Sequence, residues 1–152
     1  MQVSPVVLSS VNIVVRDSRG RTLLQMRDSA ARSSPLMWGF WGGAVDADDE
    51  SAHHAAAREL SEELCVCAQR SDFEPIGERV DSRGRLAALF LYRPSVHWED
   101  IRVNEGAGAG FFWREEINRL PVSNAVAWYL ERCPRIFPGL DRSKSLSQSS
   151  TS

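Results

Sequence analysis

Arg58-Glu59-Leu60-Ser61-Glu62-Glu63-Leu64 crowds three carboxylates onto one side of a helix, fifteen residues after the glycine pair Gly42-Gly43. At about 100° per residue, Glu59, Glu62 and Glu63 form one acidic stripe. His53, Ala56, Ala57, Leu60 and Leu64 share a neighbouring face suited to burial. Like charges three and four residues apart destabilise an isolated helix by about 0.2–0.5 kcal/mol per pair. Arg58, four residues before Glu62, offers one salt bridge in the less favourable order, and an exposed pair of this kind contributes only about 0–1 kcal/mol. A divalent cation relieves the rest. Clustered carboxylate oxygens match the hard ions Mg²⁺ and Mn²⁺, which keep waters and substrate phosphates in their shells. Taken alone, the same face reads equally well as a solvated glutamate-rich surface.

The surrounding residues break that tie. Gly42-Gly43-Ala44-Val45-Asp46 precedes the run, followed by Glu50, seven residues, Arg58-Glu59-Leu60, one residue, Glu62-Glu63, one residue and Cys65-Val66. The pattern resembles the signature of the Nudix hydrolase family, a glycine, five residues, Glu, seven residues, then Arg-Glu-apolar-x-Glu-Glu-x-Gly-apolar, which forms a loop, a helix and a loop. This sequence departs from it twice. Six residues separate Gly43 from Glu50, so either the loop from Asp46 to Asp49 carries one extra residue or Asp49 takes the glutamate's place. The insertion is the favoured reading, because Glu50 keeps its spacing to Arg58 and loops accept extra residues better than helices do. Cys65 stands where the family has glycine just past the helix, often in the left-handed conformation, and should cost about 1 kcal/mol there.

The resemblance implies an α+β fold, a Nudix-type mixed β-sheet sandwiched between α-helices. It implies hydrolysis of a diphosphate linkage in a nucleoside diphosphate joined to another moiety, with water as nucleophile and Mg²⁺ or Mn²⁺ as cofactor. By the same resemblance Glu62 and Glu63 are the principal metal ligands, and Glu59 is an additional ligand or the catalytic base. The Gly43 carbonyl completes the shell, and Arg58 and Glu50 orient the site. A further acidic ligand from a later loop falls on Glu105, with Glu99 and Glu115 as competitors. Partners are then a small-molecule nucleotide and, as in many relatives, a second copy of the chain. A nucleotide-binding or regulatory module without turnover is the rival reading, and a prenyl diphosphate isomerase ranks third because no cysteine-centred site is evident.

Composition frames this. A chain of 152 residues with 43% hydrophobic and 25% charged residues suits one globular domain, expected over residues 1–142 with a disordered serine-rich tail over 143–152. A net charge of −2 and a pI near 5.9 give no broad electrostatic reason to bind a nucleic-acid polymer, although a local basic patch is compatible with them. Without a long apolar run or secretory leader, a cytosolic, membrane-free protein is expected. Cys65, Cys67 and Cys133 lack paired spacing and read as small semi-buried side chains, and His53, His54 and His97 as structural.

Hairpins are predicted for Val6 to Arg16 with Arg21 to Arg27, and for Phe73 to Val80 with Leu86 to Arg93, each across a turn ending in glycine, Gly20 or Gly84. Ser29 to Pro35 reads as a loop, Leu36 to Gly43 as a short strand and Ser51 to Leu64 as the signature helix. Asn104 to Gly110 reads as a glycine-rich loop before a strand at Phe111 to Trp113. Arg114 to Ile117 then begins a turn or short helix, and Ser123 caps a closing helix that turns Val126, Tyr129 and Leu130 inward. Among Trp38, Phe40 and Trp41, alternation places at least one ring in the core and leaves another available to a nucleobase.

Overall fold

The computed structural model describes residues 7–140, so the expected serine-rich tail lies outside the described residues. Its strands are β1 (Leu8–Arg16), β2 (Thr22–Met26), β3 (Trp38–Gly39), β4 (Trp41–Ala44), β5 (Phe73–Val80), β6 (Leu86–Tyr92) and β7 (Gly108–Phe112). Its helices are α1 (Ala52–Leu64), α2 (Arg114–Ile117) and α3 (Asn124–Arg132), with single 3₁₀ turns at Arg70–Asp72, Trp98–Asp100 and Pro134–Ile136.

β1 is the central strand because its alternate residues are apolar toward opposite faces, and both faces are covered. Val11, Ile13 and Val15 join one core cluster and Val14 the other. One edge of β1 pairs in parallel with β6, through Ile13↔Phe90 and Val14↔Leu91. The opposite edge is shared between β4, which takes Ser10 to Ile13, and β2, which takes Val15 and Arg16. The chain from Trp38 to Ala44 changes partner at Phe40: β3 pairs with β2, and β4 pairs with β1. That switch delivers Gly42 and Gly43 to the middle of β1, opposite Asn12 and Val11.

On one face α1 packs Ala55, Ala56, Leu60 and Leu64 against Val11, Ile13, Trp41 and Phe90. On the other, Val126 and Tyr129 of α3 meet Val14, Leu24, Phe40, Leu89 and Phe137. Each fully buried side chain of this size contributes about 1.5–3 kcal/mol, so the two helices are held by the sheet from opposite sides. The architecture is α+β, a mixed sheet between helices.

Local chemistry sets the element ends. Ser51 caps α1, its Oγ accepting the His54 amide at 3.0 Å, and Ser123 caps α3 by accepting from Val126. The expected hairpins form, with Gly20 and Gly84 at positive φ. Two expectations change. β7 begins inside the glycine run, because β2 supplies a complete ladder from Thr22↔Phe112 to Met26↔Gly108 and the Phe112 ring covers the bare Gly110 backbone. All three cysteines are exposed rather than semi-buried, since each lies past the end of a packed helix.

Cys65 terminates α1 at φ 57° and ψ 31°, its amide bonded to the Ser61 carbonyl. A side chain in this left-handed conformation costs about 1–2 kcal/mol, partly offset by the greater unfolded-state freedom of glycine. Cys65→Gly is therefore expected to raise stability by about 0.5–1 kcal/mol in urea unfolding, and a variant no more stable than wild type would contradict that assignment of strain.

Candidate active site

The acidic stripe of α1 divides into three environments. Glu63 is fully buried, and its carboxylate accepts the Gly42 amide at 3.2 and 3.4 Å. Burial, and next the negative charges of Glu105 and Glu59, raise its pKa above the ordinary carboxylate value. Glu59, with only 13% of its side chain exposed, lies against Gly43: a Cβ there would sit 2.7 Å from a Glu59 carboxylate oxygen. Burial raises the Glu59 pKa too, in spite of the Arg58 charge beside it. The two carboxyl groups lie close enough that the charge of Glu59 adds to the upward shift of Glu63. Glu62 is 55% exposed and lies 3.5 Å from Arg58.

The glycine pair is required by this geometry. Gly42 adopts φ +125°, and a Cβ on it would collide with the Val11 carbonyl. The strand can therefore approach the helix closely enough for a backbone amide to meet one buried carboxylate while the other rests on a bare Cα.

Arg58 is the hub of the helix's outer edge. Its Nε and Nη2 donate to the two carboxylate oxygens of Asp49 at 3.0 and 2.8 Å, its Nη2 also to the Ala44 carbonyl at 3.1 Å, and its Nη1 to Glu59 at 3.1 Å. The Asp49 side chain is 1% exposed, and the Arg58 hydrogen bond holds its pKa down to about 2. Arg58 is pushed above its usual range by the same bond.

This corrects the placement of the orienting acid. Glu50, expected with Arg58 to orient the site, is 70% exposed and pairs with Arg70 at 2.7 Å, while Asp49 takes Arg58. Helical geometry starts only at Ala52, so the seven-residue spacing from Glu50 to Arg58 is not held rigid and Asp46 to Ser51 is free to bulge. Asp49 restores five residues after Gly43, and the extra residue falls between it and the helix cap.

Glu105 is exposed and lies near enough to Glu63 to raise its pKa. It lines a cavity of about 670 Å³ with Gly42, Gly43, Gln25 and Arg27. Its loop is tied to the end of α1: the Asn104 amide donates to the Glu63 carbonyl at 2.9 Å and the Asn104 side chain to that of Glu62 at 3.2 Å. Neither Glu99 nor Glu115 lines this cavity; Glu115 accepts the Leu140 amide at 3.0 Å. Asn104 carried no signal in the sequence, being some forty residues from the helix it fastens. Gln25, buried and donating to the Phe40 carbonyl at 3.0 Å, likewise sits among apolar strand residues that gave no hint of it. Phe40 and Trp41 are core, and Trp38 packs edge-on against Phe112 with ring centroids 4.8 Å apart.

Among the described residues, no three His, Cys, Asp or Glu side chains are grouped so as to hold a metal ion as they stand. The donor chemistry nevertheless fits a hard divalent cation. Glu59 and Glu63 present only oxygens, and the like charges that raise their pKa are those a cation offsets.

The model of the NUDIX domain matches residues 7–125, and the chain belongs to that family. Solved structures agree on the fold. MutT, from work on the Aliivibrio salmonicida and Vibrio cholerae proteins, is 17% identical at a TM-score of 0.68, covering 82% of this chain and 94% of that one. The NUDIX domain of Shewanella oneidensis NrtR, solved with ADP ribose, is 17% identical at 0.67, covering 87% and 89%. A MutT NUDIX hydrolase from Burkholderia pseudomallei is 25% identical at 0.62, covering 82% and 95%. No curated protein matches the sequence.

The two neighbouring acids of the loop should separate cleanly by substitution. Asp49→Ala, which strips Arg58 of its two-point partner, is expected to lower the melting temperature clearly. Glu50→Ala should leave it within about 2 °C, as surface changes do. Equal effects, or a larger one at Glu50, would restore Glu50 as the orienting acid.

Proposed function

We propose that this protein is a cytosolic pyrophosphohydrolase, dependent on Mg²⁺ or Mn²⁺, that cleaves a diphosphate linkage in a nucleoside diphosphate joined to another moiety. The observation that carries the reading is the Glu59–Glu63 pair closed in by Gly42-Gly43; the adjoining cavity is lined by Gly42, Gly43 and Glu105 but not by Glu59, Glu62 or Glu63. Two adjoining carboxyl groups on a helix with a third beside them add little to folding, because burial and mutual repulsion oppose their ionisation. They suit a site that takes a cation.

Glu62 and Glu63 are assigned as principal ligands, with Glu59 as further ligand or base and the Gly43 carbonyl and Glu105 completing the oxygen set. When bound, the metal neutralises phosphate charge and lowers the pKa of a water in its shell. Glu59, whose basicity is raised by burial, is the chain's proton acceptor for the attacking water. Arg58, anchored by Asp49 and Ala44, holds Glu59 in place through its Nη1. The bare backbone at Gly43 leaves room for phosphate to come close.

Nucleotide binding without turnover is the second reading, favoured by one observation: a NUDIX domain of this fold has been solved with ADP ribose bound. A nucleotide panel assayed with Mg²⁺ and Mn²⁺ separates the two. Hydrolysis should release a mononucleotide or phosphate, and Glu62→Gln and Glu63→Gln should each lower kcat/KM by about 10²–10³-fold, the loss of several kcal/mol of transition-state stabilisation. Nucleotide binding by folded protein with no product from any panel member would establish the second reading instead.

A further inference from the structure

A second cavity, of about 700 Å³, adjoins the first and shares Arg27, Gly42 and Gly43 with it. Its walls bring five arginines, Arg27, Arg32, Arg79, Arg83 and Arg85, to face one carboxylate, Asp81. Arg85 pairs with Asp81 at 3.0 Å. The others form no ion pair among the described residues. Arg79 keeps its Nε buried with no hydrogen-bond partner. In a chain of net charge −2, this concentration of unneutralised guanidinium groups in one concavity repels itself and has no counterpart in the folding of either core. Buried donors without acceptors are costly, and guanidinium groups bind phosphate by paired hydrogen bonds.

The loop forming one wall is held in an unfavourable shape. Ser34 and Leu36 both lie at positive φ, 47° and 57°, which side chains other than glycine seldom adopt. Arg27 organises it, donating from Nε to the Ser33 carbonyl at 2.8 Å and exchanging main-chain bonds with Leu36 and Met37. Strain of this kind is retained where a loop clamps a ligand, and here it turns Arg32, Ser33 and Ser34 to the cavity. The β5–β6 hairpin forms another wall, bearing Arg79, Asp81, Arg83 and Arg85.

We infer that this groove binds the non-reacting portion of the substrate and that this portion carries at least one phosphate beyond the diphosphate being cleaved. The inference rests on the pyrophosphohydrolase reading for the position of the scissile bond at Gly42-Gly43, but the groove's affinity for phosphate stands apart from turnover. Its volume is in the range of small-molecule sites and its basic residues converge in a concavity, so the occupant is a phosphorylated small nucleotide rather than a polymer.

The test uses Arg32→Gln/Arg83→Gln, two exposed side chains free of ion pairs, and Arg32→Lys/Arg83→Lys as the charge-conserving control. Inorganic tripolyphosphate is titrated into metal-free full-length protein by calorimetry. Matched substrates differing by one remote phosphate, coenzyme A against dephospho-coenzyme A and NADPH against NADH, are assayed with Mg²⁺. Tripolyphosphate should bind wild type and Glu62→Gln alike, weaken at least tenfold in the Gln pair and recover partly in the Lys pair. The phosphorylated member of any substrate pair turned over should lead by tenfold in kcat/KM, chiefly through KM, and lose that lead in the Gln pair. Tripolyphosphate binding that is absent, or indifferent to the arginines, overturns the groove whatever the activity. A 5′-triphosphorylated RNA oligonucleotide preferred over every small substrate overturns the small-molecule assignment. Binding that follows the arginines with no turnover of any substrate sustains the groove and removes the hydrolase reading instead.

Discussion

The fully buried Glu63 carboxyl, bonded to the Gly42 amide and facing Glu59, is the constraint around which the molecule is arranged. A buried acid is tolerated only with donors or charge to match it. This one ties β4 to α1 through the Gly42 amide, where the Val11 carbonyl leaves no room for a side chain on Gly42 and Glu59 leaves none on Gly43. The partner switch at Phe40, which lets one continuous segment pair first with β2 and then with β1, has the effect of presenting that glycine pair to the helix. The apolar face of α1 supplies the adhesion. The acidic face determines what the adhesion positions.

Charge is apportioned around that pair in a way that separates holding from reacting. Arg58 spends its strongest contacts on Asp49, which stays ionised at any ordinary pH because of them. Its remaining donor steadies Glu59. Glu63 has no cationic partner among the described residues, and burial raises the pKa values of both Glu59 and Glu63. On the opposite side of Gly42-Gly43 the balance reverses, and an arginine-lined groove begins. Under the proposed function, the carboxylates on one side of the glycine pair would hold the cation and the guanidinium groups on the other would receive phosphate.

Much of this was legible in the sequence. The 3.6-residue period of Ala56, Leu60 and Leu64 beside Glu59, Glu62 and Glu63 locates α1 and its two faces, and the β-branched run from Val6 to Arg16 locates a hairpin strand without showing that it is central. The left-handed end of α1 followed from a spacing at which relatives carry glycine. Less legible were features decided by tertiary closure. Asp49 and Glu50 are adjacent acids in a loop, and their roles depended on where the helix cap fell, which local pattern does not fix to one residue. Asn104 fastens the Glu105 loop to α1 through its amide and its side chain, both bonded to carbonyls some forty residues away, a pairing only tertiary closure creates. The arginines of the second cavity come from a loop, a strand and a hairpin turn, and only the sheet brings them together. Strand β7 was read short because glycines suggest a loop, whereas the β2 ladder and the Phe112 ring make them part of the sheet.

Burial favours the protonated forms of Glu59 and Glu63, and a divalent cation taken up by their oxygens would displace protons from them. Calorimetric titration of Mn²⁺ at pH 7, run in two buffers of different ionisation enthalpy, measures this directly, since metal binding to a protonated ligand set releases protons to the buffer. Because burial raises both pKa values above those of free carboxylates, Mn²⁺ binding is expected to carry a buffer-dependent heat from released protons, much reduced in Glu63→Gln. Binding with no proton release, or Mn²⁺ binding unaffected by Glu63→Gln, would contradict it.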